Sequence, residues 1–219
     1  MTAPLELLDA LAMQEVELAP GIRHVEVFTM GGLLTVLWHG PRDAERIVVA
    51  CGGAMGGLLG PSSGLYQRLG EALAAGGVGM LRVSYRKPND LDRCTIDLCA
   101  AVDLAARSGA RRAITMGHSF GGAIAVRTAC ALGDPVAGVV TFATQSAGCE
   151  QAEELNGRPL LLFHGDRDEL LPVQASEMVR FIAGTGELVV LPNEGHLLSG
   201  AGDILYERVS EFVEDVLPA

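Results

Sequence analysis

Gly117-His118-Ser119-Phe120-Gly121-Gly122 follows an apolar run at 112 to 117 and opens a stretch of small apolar residues at 120 to 132. A Gly-X-Ser-X-Gly spacing suits a serine that attacks. A hydroxyl held on a sharp strand-to-helix turn stands above the strand end, and glycines two residues to either side admit backbone where a Cβ would collide. The same turn points the Phe120 N–H out of a helix N-terminus, toward the place where negative charge would grow on an attacked carbonyl oxygen. The spacing alone is weak, because a chain with this many glycines and serines holds roughly 0.14 such matches by chance. The strand before it and the helix after it give it weight.

A serine hydroxyl is a poor nucleophile at neutral pH and needs a base within reach and a carboxylate to orient that base. Two later apolar runs end in suitable residues. The run at 159 to 165 leads into Gly165-Asp166-Arg167-Asp168, and the run at 187 to 192 leads into Asn193-Glu194-Gly195-His196. In a parallel sheet the carboxyl ends of all strands share one edge, which would gather these groups beside Ser119. Of the five histidines, His24 and His39 lie on or beside an early hairpin, His118 is inside the serine turn and His164 ends a strand. Only His196 follows the final strand, so it is the candidate base. Asp166 and Asp168 are both within the acid loop, and the earlier position of Asp166 suits a turn cap.

The elements that must position these residues can be read from periodicity. Residues 22 to 29 and 33 to 39 are β-rich runs around Met30-Gly31-Gly32 and predict an antiparallel hairpin. Short runs apolar on both faces follow at 46 to 50, 78 to 85, 112 to 117, 136 to 143, 159 to 165 and 187 to 192, as strands of a covered parallel sheet require. Helical stripes lie between them: Leu65, Leu69 and Leu73; then Leu91, Cys94, Leu98, Val102 and Ala105 after the start signal Pro88-Asn89-Asp90. Residues 120 to 132 predict a helix buried all round, and 203 to 216 one carrying Leu205, Val209, Phe212 and Val216. The expected fold class is α/β: a three-layer α/β/α sandwich on a mostly parallel sheet of about eight strands, with an N-terminal antiparallel hairpin. Residues 1 to 219 read as a single domain, and within 1 to 20 a short helix is expected with Leu5, Leu8 and Leu11 on one side.

Composition narrows the function classes. With 16 basic and 27 acidic residues the net charge is -11, which disfavours nucleic acid and anionic lipid as partners. No apolar stretch approaches the roughly 20 residues that span a bilayer, and the N-terminus lacks a basic start and apolar run, so a soluble, cytoplasmic protein is expected. Five scattered cysteines without a Cys-X-X-Cys pair predict neither disulfides nor a metal site. The sole lysine, Lys87, reads as codon bias of a GC-rich bacterial genome.

The order Ser, Asp, His, together with GHSFGG, HGDRDELLP and NEGHLL, resembles the α/β-hydrolase family across nearly the whole chain. The resemblance implies the nucleophile at Ser119, the base at His196 and, from His164-Gly165-Asp166-Arg167-Asp168, the orienting acid at Asp168. It implies an oxyanion hole made by the Phe120 N–H and a second N–H from the loop Cys51 to Gly57, donated by Gly53 or Ala54. Cys51 stands where the family commonly has histidine. Only about 15 residues, Thr144 to Arg158, are available for a cap, so an open cleft is expected, lined by Met55, Leu58, His118, Gln145, Leu170, Leu171 and Leu197. The proportions are similar to small carboxylesterases and to the dienelactone-hydrolase-like branch, whose type enzymes carry cysteine as nucleophile. The implied activity is hydrolysis of small or medium carboxylic esters or thioesters through an acyl-enzyme, without cofactor or metal, by a monomer or homodimer. The alternatives are acyl transfer on the same triad and a non-catalytic ligand-binding member of the fold.

Overall fold

A computed structural model describes residues 3 to 219; Met1 and Thr2, part of the stretch expected to carry a short helix, lie outside the described residues. The valine-, leucine- and isoleucine-rich runs form β4 (Arg46–Cys51), β5 (Gly79–Ser84), β6 (Arg112–His118), β7 (Val136–Phe142), β8 (Leu160–Gly165) and β9 (Glu187–Leu191). They pair in parallel in the order β5-β4-β6-β7-β8-β9. Antiparallel strands extend this sheet on the β5 side: β1 (Ala10–Ala19), β2 (Ile22–Thr29) and β3 (Gly32–His39). The hairpin expected at 22 to 39 is β2 and β3, in register from Ile22 opposite His39 to Thr29 opposite Gly32.

Alternate strand residues face opposite layers, and both layers are filled by helices. On one side α1 (Leu65–Ala75) and α5 (Gly202–Val216) set Leu65, Leu69, Leu205 and Val209 against Val48, Met80, Ile114 and Val140. On the other, α2 (Leu91–Ala106), α3 (Phe120–Leu132) and α4 (Gln174–Ala183) set Cys94, Leu98, Ile124 and Val179 against Val49, Leu81, Val139 and Leu162. Asp90 caps α2 by accepting from the Arg93 N–H at 3.1 Å, which explains the start signal there. The sandwich is thus three-layered, on nine strands.

The expected helix near the N-terminus is corrected. Leu8 is buried in a single 3-10 turn, Glu6–Leu8, while Leu11 belongs to β1 and is exposed. The residues of β1, ALAMQEVELA, are mostly good helix formers, and the ladder with β2 overrides that propensity.

Two features of the topology position a site. The chain turns back at β4, whose neighbours are β5 on one side and β6 on the other, so a crevice opens at the carboxyl ends of β4 and β6. Between β7 and β8 the connection holds only one 3-10 turn, Ala152–Leu155.

Candidate active site

β6 ends at His118 and α3 starts at Phe120, so Ser119 alone makes the turn, at φ 58° and ψ −119°. Such a conformation costs a non-glycine residue about 1–3 kcal/mol and survives only where its surroundings impose it. Here the Ser119 N–H donates to the Phe142 carbonyl at 2.8 Å and the Ser119 carbonyl accepts from the Gly122 N–H at 2.9 Å. The flanking glycines are steric necessities. A Cβ on Gly117 would run into the Gly121 carbonyl, and one on Gly121 into the Gly52 carbonyl. The second approach presses the serine turn against the loop that leaves β4.

That loop, from Gly52 to Gly60, is tied down by three buried side chains. The Tyr66 hydroxyl donates to the Cys51 carbonyl at 3.0 Å, the Tyr85 hydroxyl to the Gly52 carbonyl at 3.0 Å, and Arg82 Nη1 to the Leu58 carbonyl at 3.2 Å. A Gly56 N–H to Gly53 carbonyl bond of 2.9 Å closes a turn within it. A Cβ on Gly53 would sit 3.7 Å from Ser119 Cβ, which puts Gly53 beside the serine. Gly53 pairs with Gly56 in an isolated antiparallel bridge, and among the described residues the Ala54 N–H has no backbone acceptor. Cys51 lies below, its thiol 3.5 Å from the Met116 and Gly121 carbonyls, and burial pushes that thiol up to about 12, so it packs rather than reacts.

On the far side of the serine, Asp168 and His196 meet. Asp168 Oδ2 accepts from Nδ1 of His196 at 2.7 Å, and Oδ1 accepts the N–H groups of Leu170 at 2.8 Å and Leu171 at 2.9 Å. The Asp168 side chain is fully buried. Burial would raise its carboxyl, but the Leu171 N–H, His196 and the Leu170 N–H outweigh it and hold the group below the ordinary carboxylate range. Asp166 instead takes the Asn193 N–H at 2.6 Å, and with the Arg167 N–H to Glu194 carbonyl bond of 3.0 Å it ties the two loops together.

With Nδ1 engaged by Asp168, Nε2 is the nitrogen of His196 left for the serine. The two residues line the same cleft, although among the described residues no hydrogen bond joins the Ser119 hydroxyl to the imidazole. Such bonds commonly close only when substrate is bound. His118 supports the arrangement from below: its Nε2–H donates to the His196 carbonyl at 2.9 Å, and the two rings lie 5.0 Å apart. Burial lowers the His118 pKa.

The cleft measures about 470 Å³, and its side chains include Met55, Leu58, Leu59, Leu170 and Leu197 around Ser119, His118 and His196. No acidic or basic side chain other than the histidines contributes. Gln145 and Leu171, expected in the lining, lie beside the cleft without lining it: the Gln145 N–H donates to the Ser119 carbonyl at 3.4 Å and its Nε2 to the Ala147 carbonyl at 2.8 Å, and Leu171 is occupied with the acid loop. Both follow strand ends as expected, but their polar groups are engaged in local turns.

No family model and no curated protein matches the sequence. Solved structures do match the architecture. Est1E from Butyrivibrio proteoclasticus superposes with a TM-score of 0.75 at 18% identity, over 90% of this chain and 99% of that one. Dienelactone hydrolase from Anabaena variabilis gives 0.75 at 20% identity over 94% and 99%. A cold-adapted esterase from an Arctic intertidal metagenomic library gives 0.75 at 14% over 94% and 100%. The chain has the α/β-hydrolase fold. Identities this low concern architecture, and the chemistry of this chain must be argued from its own side chains.

Three residues important to the site carry no sequence signal. Tyr66, Tyr85 and Arg82 reach acceptors 15, 33 and 24 positions away, and no local spacing marks a donor of that kind. Among the described residues no cluster of three His, Cys, Asp or Glu side chains is arranged to hold a metal ion. Among them, too, no helix is long and apolar enough to cross a membrane.

Proposed function

We propose that this chain is a serine hydrolase that cleaves small or medium carboxylic esters or thioesters through an acyl-enzyme on Ser119. One observation carries the reading: His196, paired with the buried Asp168, and the strained Ser119 line one cleft at the carboxyl edge of the sheet. In the first half-reaction Ser119 Oγ bonds to the acyl carbon while His196 Nε2 takes the hydroxyl proton. Negative charge on the acyl oxygen is met by the Phe120 N–H and by that of Gly53 or Ala54. Collapse breaks the bond to the leaving alcohol or thiol, which receives the proton from His196. Water then repeats the sequence with His196 as base, releasing the acid and restoring the serine. Asp168, held ionised, steadies the imidazolium throughout.

An apolar cleft lined by Met55, Leu58, Leu170 and Leu197 favours an uncharged acyl group, and the net charge of -11 disfavours strongly anionic substrates. The fold neighbours named as esterases and as dienelactone hydrolase are consistent with ester substrates. Labelling with a fluorophosphonate tests the nucleophile directly. The native chain is expected to take up one label on Ser119, and Ser119→Ala to lose both the label and kcat by about 10⁴ to 10⁶. An alanine variant that turns over esters at the native rate would overturn the reading.

A further inference from the structure

Asp168 touches a second imidazole. His164, on β8, is fully buried, and its Nε2 lies 2.9 Å from the Leu171 carbonyl oxygen and 3.2 Å from Asp168 Oδ2. Both neighbours accept hydrogen bonds, so Nε2 must carry the hydrogen. His164 Nδ1 lies 2.7 Å from the hydroxyl oxygen of Ser176, itself fully buried on α4. Among the described residues that hydroxyl has no other partner, and it donates to Nδ1, which fixes the Nε2–H tautomer.

We propose that Ser176 and His164 are positioning residues that hold the Asp168 carboxylate in place for His196. The Ser176 hydroxyl donates to His164 Nδ1, and His164 Nε2–H donates to the Leu171 carbonyl at 2.9 Å while lying 3.2 Å from Asp168 Oδ2, the oxygen that accepts from His196 Nδ1–H. The proposal rests on the reading of Asp168 and His196 as the acid–base pair. Its physical content is that one oxygen is shared. The Nε2–H beside Oδ2 draws off part of the charge that would otherwise act on His196 alone, and its bond to the Leu171 carbonyl holds the residue whose N–H grips Oδ1. A histidine kept only for packing would need neither the shared oxygen nor the seryl donor.

Other charged or titratable groups face this cluster. His118 comes from the serine turn and donates to the His196 carbonyl. The loop after β8 brings Asp166, Arg167 and Glu169, all exposed; the loop after β9 brings Glu194, which accepts the Gly200 N–H at 3.1 Å; α4 brings exposed Glu177. None of these touches Asp168 Oδ2, whereas His164 does.

The test uses the full chain with His164→Leu, His164→Gln and Ser176→Ala. Two readouts are followed: the pH profile of kcat/KM, and the downfield proton resonance of His196 Nδ1–H. His164→Leu is expected to lower kcat/KM by about tenfold to a hundredfold, to move the acid limb to higher pH and to shift the resonance. His164→Gln, whose side-chain amide can donate from the position of Nε2, should recover most of the activity and the limb. Ser176→Ala should shift the resonance with a smaller loss of rate. If His164→Leu does not fold, Ser176→Ala and His164→Gln decide. An unmoved limb together with an unmoved resonance in the folded variants overturns the proposal, whatever the change in melting temperature. Failure of the hydrolase reading looks different, because active Ser119→Ala removes the proposed nucleophile while the resonance still reports whether His164 acts on Asp168.

Discussion

At the carboxyl ends of β6, β8 and β9, His118, His164 and His196 are 8%, 0% and 7% exposed, and each makes at least one hydrogen bond through a ring nitrogen. At the end of β3, His39 is 1% exposed and neither of its nitrogens has a partner. Equal burial therefore has two outcomes. In the parallel half, imidazoles are held by acceptors and donors in fixed orientations. In the antiparallel half, burial and, secondarily, the neighbouring Arg82 lower the His39 pKa to about 4, so the ring stays neutral without being oriented. On the proposed reading the difference separates a group placed for proton transfer from one tolerated in a core.

The sharpest way to break this comparison is at the oriented end. Asp168→Asn keeps the shape of the side chain but gives up the charge that fixes the His196 tautomer, and kcat on an ester should fall by about 10³ to 10⁴ with the fold intact. Steady-state kinetics beside a circular dichroism melt check it. A fall of less than tenfold would mean that Asp168 is no more engaged in chemistry than His39. Next in size is Gly117→Ala. Its Cβ would meet the Gly121 carbonyl, which belongs to backbone and cannot swing aside, so stability should drop by about 3 kcal/mol or more in a urea titration.

His39→Leu addresses the other end. An imidazole at its ordinary value near 6.5 in the unfolded chain and about 4 in the folded one binds its proton first in the unfolded state. The associated stability is thus complete above about pH 6.5 and is lost as pH falls toward 4, by an amount of the order of 2–3 kcal/mol. The leucine variant should have a flatter stability curve between these limits, and it gives up no hydrogen bond because His39 makes none. Thermal melts at pH 7, 5.5 and 4.5 measure the slope. An equally steep curve in the variant would place the acid sensitivity elsewhere.

The same division governs what is legible in the sequence. Parallel strands buried on both faces must be continuously apolar, so β4 to β8 stand out, while β9 is an apolar run of which only Leu191 is buried; Ser119, Asp168 and His196 follow strand ends that any reading of the order can find. β1 does not stand out, because all ten of its residues are exposed and no face imposes alternation. α4 is hidden for a related reason: it buries only Ser176, Val179 and Ala183, while Met178 and Phe181 lie outside and blur the stripe. With α4 hidden, the partner of His164 is hidden as well. Tyr66 and Tyr85 look like ordinary core aromatics in a sequence, and their hydroxyls acquire meaning only where the folded chain brings the Cys51 and Gly52 carbonyls to them.

The smallest expected effect comes from β1 itself. Leu18 is 59% exposed on a strand that, among the described residues, has β2 as its one sheet neighbour, so replacing it removes little buried apolar area. Leu18→Thr keeps a residue that suits strands and should change stability by no more than about 0.5 kcal/mol, with kcat unaltered. Calorimetry and an ester assay at matched protein concentration check both. A loss of several kcal/mol would mean that β1 is covered in solution, and the contrast would then lie between two buried regions with different coverings, since an edge strand of ten exposed residues offers unpaired N–H and carbonyl groups to whatever reaches it.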